Sequence, residues 1–564
     1  MSDHSSLTDE VRASGAQQMW TQPYMLLGRG QGVSAIVAAL PILAVFLLLG
    51  VWRKPAWMAG TCGLVTSLLV AVTACRMPIK VAIGASTYGI AFGLFPILWI
   101  IFWALALFRV TSETGRFEII RNSISELTSD PRHQALLIAF GLEAFLEGAA
   151  GFGTPVAIAA AMLVGLGFSP MRAATICLLA NTAPVAFGSM GIPVITLAAA
   201  TGLPIHSLSV AVAALCAPLA LVLPSYMLAA TGGWRTLRGF LFPALAVGAS
   251  FAIVQLAVCI ISGPQLAVIL ASMVSMVVML FLFKRHVHSP LTVEQYAFLG
   301  HADPVLPQTP TEHLQPLSTR RVLVAWLPYI LLIAFAILWN VPVVQLWLDR
   351  GTLHLAWPWL DNQVLRAPPL VPSPKAYAAS FLFNSFSAAG TSCMATVLAA
   401  GFLSGLGVRQ MTRILLSVLL QLALPMLTIS VVLAMAFVMN YSGQTAILGL
   451  ALAHNRLALP FLSSLLGWLG VFVTGSDTSS NALFGNLQVV TATRLHLNPV
   501  LMAAANSAGG VMGKMISLQT IAVATVATGA ATSQQSKLFR KMLHHSLILM
   551  ALAGLIAFAY ARLM

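Results

Sequence analysis

The sequence predicts an all-α polytopic membrane protein of about 12–14 transmembrane segments in two repeat-related halves, with broken helices or re-entrant hairpins. Three observations predict it. Of 564 residues, 59% are hydrophobic and 8% charged, with a mean hydropathy of +0.90, far from the balance of a soluble domain. Apolar runs of about twenty residues, the length a bilayer core requires, recur from residue 33 to the C-terminus. Polar, glycine-bearing interruptions also stand at corresponding places in the two halves, where a lipid-facing helix would tolerate neither.

The formal net charge of +14 comes from basic residues standing singly or in pairs at the ends of apolar runs, as the positive-inside rule expects. No basic tract or aromatic-studded basic face supports a nucleic-acid partner. The six cysteines lie in apolar runs without a Cys-x-x-Cys pair, so they read as small buried hydrophobes, with neither a disulfide framework nor a metal site. The chain opens with polar sequence containing Asp3, Asp9 and Glu10, unlike a cleavable signal peptide.

In chain order, the expected organisation is a polar N-terminal tail at 1–31, a first membrane half at 32–283, a Pro-rich cytoplasmic linker at 284–321 and a second half at 322–564. Runs at 33–52 and 56–75 are separated by Arg53-Lys54, and a longer run at 81–110 carries Gly89, Gly93 and Pro96, which predict a kink or break. Residues 116–128 place Phe117, Ile120, Ile124 and Leu127 on one face with charge opposite, an interfacial amphipathic helix lying on the membrane. After the central stretch Leu142–Val194 come runs at 205–230, 240–262 and 264–283, and then the linker with Pro290, Pro304, Pro307, Pro310 and Pro316. A run at 322–340 and a Trp- and Pro-rich loop at 342–375 lead to runs at 376–406, 414–438, 443–453, 458–474, 497–530 and 545–562. Placing the short basic loops in the cytoplasm puts both termini outside, with Arg76 and Lys80 against that assignment.

The repeat is specific. Asn181-Thr182-Ala183, with Gly188 and Met190 following, recurs as Asn506-Ser507-Ala508 with Gly513 and Met515 at the same offsets. Upstream stand Glu147-Gly-Ala-Ala-Gly-Phe-Gly in one half and Thr474-Gly-Ser-Asp-Thr-Ser-Ser-Asn481 in the other. Paired interruptions of this kind point to the midplane site of a secondary transporter. Of fifteen acidic residues, Glu143, Glu147 and Asp477 lie in membrane-depth sequence, where a charge costs about 2.5–3.5 kcal/mol on insertion scales. Such groups persist when paired, protonated or used. Glu143 and Glu147 share a helix face, where two like charges favour proton capture by one of them.

Lys514, inside a long apolar run, attracts an anionic substrate, pairs with Asp477 or Glu147, or snorkels to an interface; the sequence leaves all three open. Ser476, Thr478, Ser479, Ser480 and Asn481 supply hydroxyl and amide groups at an apparent helix start, which suits either a carboxylate ligand or simple capping. Gly513-Lys514 is no phosphate loop, since Ala508 and Met515 replace its first glycine and its magnesium-binding Ser or Thr.

The segments Leu-Glu-Gly-Ala-Ala-Gly-Phe-Gly-Thr-Pro from Leu146, Asn-Thr-Ala-Pro-Val-Ala-Phe-Gly-Ser-Met-Gly-Ile-Pro from Asn181, Thr-Gly-Ser-Asp-Thr-Ser-Ser-Asn from Thr474 and Gly-Lys-Met-Ile-Ser from Gly513 resemble the bacterial L-lactate permease family. The resemblance runs from about residue 20 to the end. It implies a multi-pass carrier of the bacterial inner membrane that takes up L-lactate, with D-lactate and glycolate, by proton symport. The alternative is a sodium-coupled or exchange carrier of another small organic acid. No enzymatic activity, cofactor, metal or nucleic-acid partner is implied; the partners are a small 2-hydroxymonocarboxylate, a proton and the lipid bilayer. Substrate contacts are expected from Gly148, Gly151, Gly153, Asn181, Thr182, Ser189, Ser476, Thr478, Ser479, Ser480, Asn481, Asn506, Ser507 and Lys514, and proton coupling from Glu147, Asp477 and Glu143. Two positions depart from the family pattern: Glu143 replaces a small residue, and Leu518 replaces a proline, which would soften the helix break before it.

Overall fold

The computed structural model describes residues 19–26, 30–52, 54–125, 128, 130–149, 151, 154–238, 240–283, 298–300, 318–369, 371, 373–453, 456–531 and 534–563. Among them, nine helices are long and apolar enough to cross a membrane, a bent pair forms a further span, and four shorter apolar helices complete the bundle. This matches the expected class of fold.

A short strand, β1 (Trp20–Thr21), precedes α1 (Gln31–Phe46), α2 (Ala56–Thr73), α3 (Ile79–Phe92) and α4 (Trp99–Glu113). The expected break between α3 and α4 is present: Phe95 is extended at φ −144°, ψ 125°. The next residue, Pro96, disfavours a helical conformation before it. The amphipathic helix forms as α5 (Arg116–Ser125), but Phe117 and Ile120 are buried by protein, Phe117 against Phe108 with ring centroids 5.3 Å apart. Its described apolar face therefore meets the bundle, while Ile124 and Leu127 fall outside the described side chains.

A turn at Pro131–Gln134 and a π-helical segment at Ala135–Leu142 lead into α6 (Glu143–Ala149); α7 (Thr154–Gly165) packs back along them, making a hairpin with its tip near Gly151. Next come α8 (Pro170–Ala180), a 3-10 turn at Val185–Phe187 and α9 (Gly188–Thr201), with a bend of 61° across the break. The long helices α10 (Ile205–Gly232) and α11 (Leu241–Ile261) pack together, and α12 (Ala267–Phe283) covers α6. Most of the proposed linker lies outside the described residues; Phe298 returns against Phe168, at 6.0 Å between rings.

Beyond residue 318 come α13 (Thr319–Asn340) and α14 (Pro342–Leu348). The Trp- and Pro-rich stretch then forms β2 (Leu353–Ala356), β3 (Val364–Arg366), β4 (Lys375–Tyr377) and β5 (Ser380–Phe383). β2 pairs antiparallel with β5, and β3 lies between antiparallel β4 and parallel β1. The end of the N-terminal segment is thus anchored: Gln22 Nε2 donates to the carbonyls of Asn440 at 3.0 Å and Tyr441 at 2.8 Å. The apolar run expected at 376–406 is helical only as α15 (Ala389–Leu403).

After α16 (Val408–Ser442) and α17 (Gln444–Leu452), α18 (Leu459–Thr474) and α19 (Asp477–Arg494) form a second hairpin. Ser480 Oγ donates to the Gly467 carbonyl at 3.1 Å and Ser463 Oγ to Gln488 Oε1 at 2.7 Å, the pattern of antiparallel legs. Its tip is Gly475, whose φ of +72° suits glycine. Then α20 (Pro499–Lys514) and α21 (Leu518–Thr528) form an interrupted span, and α22 (Gln535–Leu563) closes the chain. The break is present at Leu518, where Ser517 caps α21 by accepting from the Thr520 N–H at 3.2 Å. A Cβ on Gly467 or Gly509 would overlap the carbonyls of Asn506 and Ser464, so α18 and α20 touch backbone to backbone, the small-residue packing that membranes favour.

Candidate functional site

Two hairpin tips, at Gly151 and Gly475, each press into the interruption of the span that follows. In the first half Gly151, at φ +59°, lies so close to Ser189 that a Cβ would overlap its Oγ. Ser189, Met190 and Gly191 are left-handed, at φ 45°, 60° and 78°, a conformation costing about 1–2 kcal/mol per residue that carries a Cβ. Beside this turn the buried Glu147 Oε2 accepts from Asn181 Nδ2 at 3.4 Å, and its Oε1 would stand 3.0 Å from a Cβ on Gly188. Glu143, one turn before, is fully buried beside the side chains of Cys177 and Asn181.

In the second half Ser476 caps α19, its Oγ accepting from the Ser479 N–H at 3.2 Å. Gly475 faces the second interruption, with Gln519 Oε1 3.0 Å from its would-be Cβ and Ser517 Oγ 3.6 Å away. Asp477, buried in the first turn of α19, accepts from Ser507 Oγ at 2.7 Å and from Asn481 Nδ2 at 3.2 Å through Oδ2. Asn481 Nδ2 also approaches Ser507 Oγ at 3.1 Å, and Asn481 Oδ1 accepts from Asn506 Nδ2 at 3.0 Å. Gln488 Nε2 extends the chain to Asn506 Oδ1 at 3.5 Å.

The joints are linked to each other. Asn481 Nδ2 donates to the Pro193 carbonyl at 3.1 Å, one turn beyond the left-handed break, and α9 packs along α19. Lys514 lies within electrostatic range of both Glu147 and Asp477. It pairs with neither among the described residues; Nζ donates to the Gly475 carbonyl at 2.9 Å, bracing the hairpin tip. Farther along, Asn440 Nδ2 donates to the Ala200 carbonyl at 3.1 Å and its Oδ1 accepts from Asn486 Nδ2 at 2.9 Å, again tying α9 to α19 through α16.

The remaining sequence-predicted residues are placed less centrally. Thr182 bonds back to the Leu179 carbonyl at 2.6 Å and lines a cavity of about 10 Å³ with Cys216, Leu219 and Met512, room for about one water. Ser480 is engaged by Gly467, Thr478 is half-buried, and Gly148 sits in the last turn of α6 against Val268 and Ile269. Gly153 lies outside the described residues. Sequence reasoning missed Ser463, Gln488, Asn440 and Asn486; isolated amides inside apolar helices were the available signal, since a buried amide needs a partner.

The internal repeat falls on the two interruptions unequally. Met190 lies in the left-handed turn and Met515 is the C-cap of α20, so both matched methionines mark a break. Asn181, however, is the C-cap of α8, whereas Asn506 lies in the interior of α20. Among the described residues no group of three or more His, Cys, Asp or Glu is placed to hold a metal ion.

The family profile described as L-lactate permease matches residues 34–564. The glycolate permease GlcA of Escherichia coli (strain K12) is 40% identical over 552 residues, covering 96% of this chain and 98% of that protein. The L-lactate permease of Bacillus subtilis (strain 168) is 40% identical over 559 residues, covering 96% and 98%. A solved transporter structure, MtrF of Neisseria gonorrhoeae, aligns over 95% of each chain at 12% identity and a TM-score of 0.35, too slight a likeness to bear on fold or function.

Proposed function

The chain belongs to the L-lactate permease family, and from that premise we propose that it carries L-lactate, D-lactate and glycolate across a bacterial inner membrane by proton symport. The observation that supports a coupled carrier is the pair of linked joints: buried Glu147 at one and buried Asp477 at the other, with Lys514 in range of both. Asp477 Oδ1 and Asn181 Oδ1 are buried acceptors without a hydrogen bond among the described residues. An unpaired buried polar atom costs about 1–3 kcal/mol, so these positions favour a group that brings donors. A 2-hydroxy acid brings its hydroxyl and a proton brings the other.

In this reading the substrate carboxylate is held near Lys514 and the first turn of α19, where exposed N–H groups and the helix dipole favour an anion. Asn181, Asn506, Ser507 and Asn481 orient the hydroxyl. Glu147 and Asp477 take up and release the proton, and Glu143 is a buried reserve beside Glu147. In the conformation described, Asp477 Oδ2, Ser507, Asn481 and Asn506 are bonded to one another, so binding has to open a hairpin tip from its break. Movement of one joint against the other through the Asn481–Pro193 contact then exposes the site alternately.

The test is counterflow and proton-driven accumulation in proteoliposomes with a panel of 2-hydroxy acids, on wild type, Glu147→Gln and Asp477→Asn. The expected result is retained counterflow with accumulation lost in at least one variant. Full proton-driven accumulation in both would end the coupling assignment, and uptake that needs a sodium gradient while ignoring a proton gradient would end proton symport.

A further inference from the structure

A cavity of about 800 Å³ lies between α4, α5, α7, α16 and α21, and Glu143, Glu147 and Asp477 are not among its lining residues. One wall is a single face of α7, on which Ala157, Ile158, Ala161, Met162, Gly165 and Leu166 recur at helical spacing. Ala157 is three residues from Thr154, where α7 begins beyond the Gly151 tip; at 1.5 Å per residue that is about 4.5 Å along the axis. The Ala157 end of the cavity is therefore about one helical turn from the start of α7. Its opposite wall carries Arg109 and Arg121, with Glu118 as the acid. Arg121 engages Glu118 in an ion pair, while Arg109 has no carboxylate partner among the described residues; its Nη2 donates to the neutral Gln421 Oε1 at 2.7 Å. An apolar chute with a half-buried, charge-unmatched guanidinium concentrates small anions, because low-dielectric walls focus its field, and a guanidinium grips a carboxylate through two parallel hydrogen bonds.

We propose that this cavity is a vestibule for the transported carboxylate, in which Arg109 holds the anion on its way between the basic-loop face of the protein and the joint at Gly151 and Ser189. The inference rests on the carrier reading above and assigns that reading a second, peripheral anion site. Gln421 positions the guanidinium, and Glu118 is neutralised locally so that the vestibule keeps a net positive charge. The small side chains of α7 leave the passage open; Ala161 is exposed in it.

Transport by the full chain is measured in right-side-out and inverted vesicles, with L-lactate and glycolate as probes. Arg109→Gln is expected to raise the apparent KM at the Arg109 face at least fivefold, with the opposite-face KM within twofold, and Arg109→Lys to recover part of the loss. A merely structural arginine would change both faces together. As a measurement independent of that side chain, Ala161→Cys in a Cys62→Ser background should react with a membrane-impermeant thiol reagent from the Arg109 face alone, and saturating L-lactate should slow the reaction at least threefold; Cys62 is the exposed native cysteine and the other five are buried. If wild type carries neither acid, the carrier reading fails and this inference falls with it. If wild type carries them but Arg109→Gln leaves the KM unchanged at both faces, or the cysteine is slowed by anionic lipid and not by substrate, the vestibule alone is refuted.

Discussion

Substituting Gly151 by alanine should be one of the most costly single-methyl additions in the chain, and its cost should depend on Ser189. Two terms contribute. Gly151 has φ +59°, where a residue with a Cβ loses about 1–2 kcal/mol. The new methyl also overlaps Ser189 Oγ, with Ser189 Cβ 3.3 Å and N 3.6 Å from it, so the hydroxyl cannot yield without moving the left-handed turn. Overpacking of this kind costs about 1–3 kcal/mol, giving about 2–5 kcal/mol in total. Ser189→Gly removes the hydroxyl and relieves the strain at φ 45°. In that background Gly151→Ala should retain only its backbone term, leaving a coupling of about 1–3 kcal/mol between the two sites. The assay is the apparent unfolding transition in detergent for the four proteins of the cycle, with counterflow rates measured in parallel. A Gly151→Ala protein as stable as wild type, or an equal cost with and without the Ser189 hydroxyl, would show that the hairpin tip does not rest on the break.

Gly509→Ala should push α20 from α18 at the Ser464 carbonyl and so pull Ser507 off Asp477; counterflow should fall at least tenfold while the protein still purifies folded, and an unchanged rate would contradict the close packing. Asn481→Ala removes the tie to the Pro193 carbonyl and leaves the Asn506 amide without its acceptor, at about 1–3 kcal/mol, and should lower the unfolding transition more than Thr478→Ala does. Asp130→Asn keeps the cap on Pro131–Gln134 but loses the pair with Arg132 at 2.8 Å. Burial tends to raise the Asp130 carboxyl, but hydrogen bonds and charge from Arg132, with His133 adding, outweigh it and hold it below the usual carboxylate range. A depressed folded value stabilises above the unfolded pKa of about 3.9, and that stability is lost as pH falls through the folded value. The variant should therefore be less stable than wild type by about 1–2 kcal/mol at pH 7, and the gap should close in stability curves taken below about pH 4.

The bundle was legible because period and hydropathy are local. Pro96 announced the α3–α4 break, and the glycines around Gly151 and Gly475 marked both hairpin tips. The strands were illegible for the opposite reason: each is two to four residues long and its partner is distant, as for Trp20 with Val364. The burial of Phe117 depends on what covers it, which an amphipathic pattern cannot specify. At the site, the carboxylates stood out because charge is rare at that depth, whereas the left-handed Ser189-Met190 pair carries residue types that give no sign of such a backbone. For Lys514 the sequence supplied a charge and left substrate attraction, ion pairing and snorkelling open; the carbonyl it braces is exposed only by the turn at Gly475.

The Gln22 side chain sets an order on assembly. The two carbonyls it reaches belong to residues 418 and 419 positions later, at the end of α16, next to the Asn440 amide that fastens α9 to α19. During synthesis this glutamine precedes its partners by more than half the chain, and it can bond to them only once the end of α16 has been made. Trimming the protein's beginning back past Gln22 would thus spare every span and yet unlatch the far ends of helices that the ribosome has not made when Gln22 emerges.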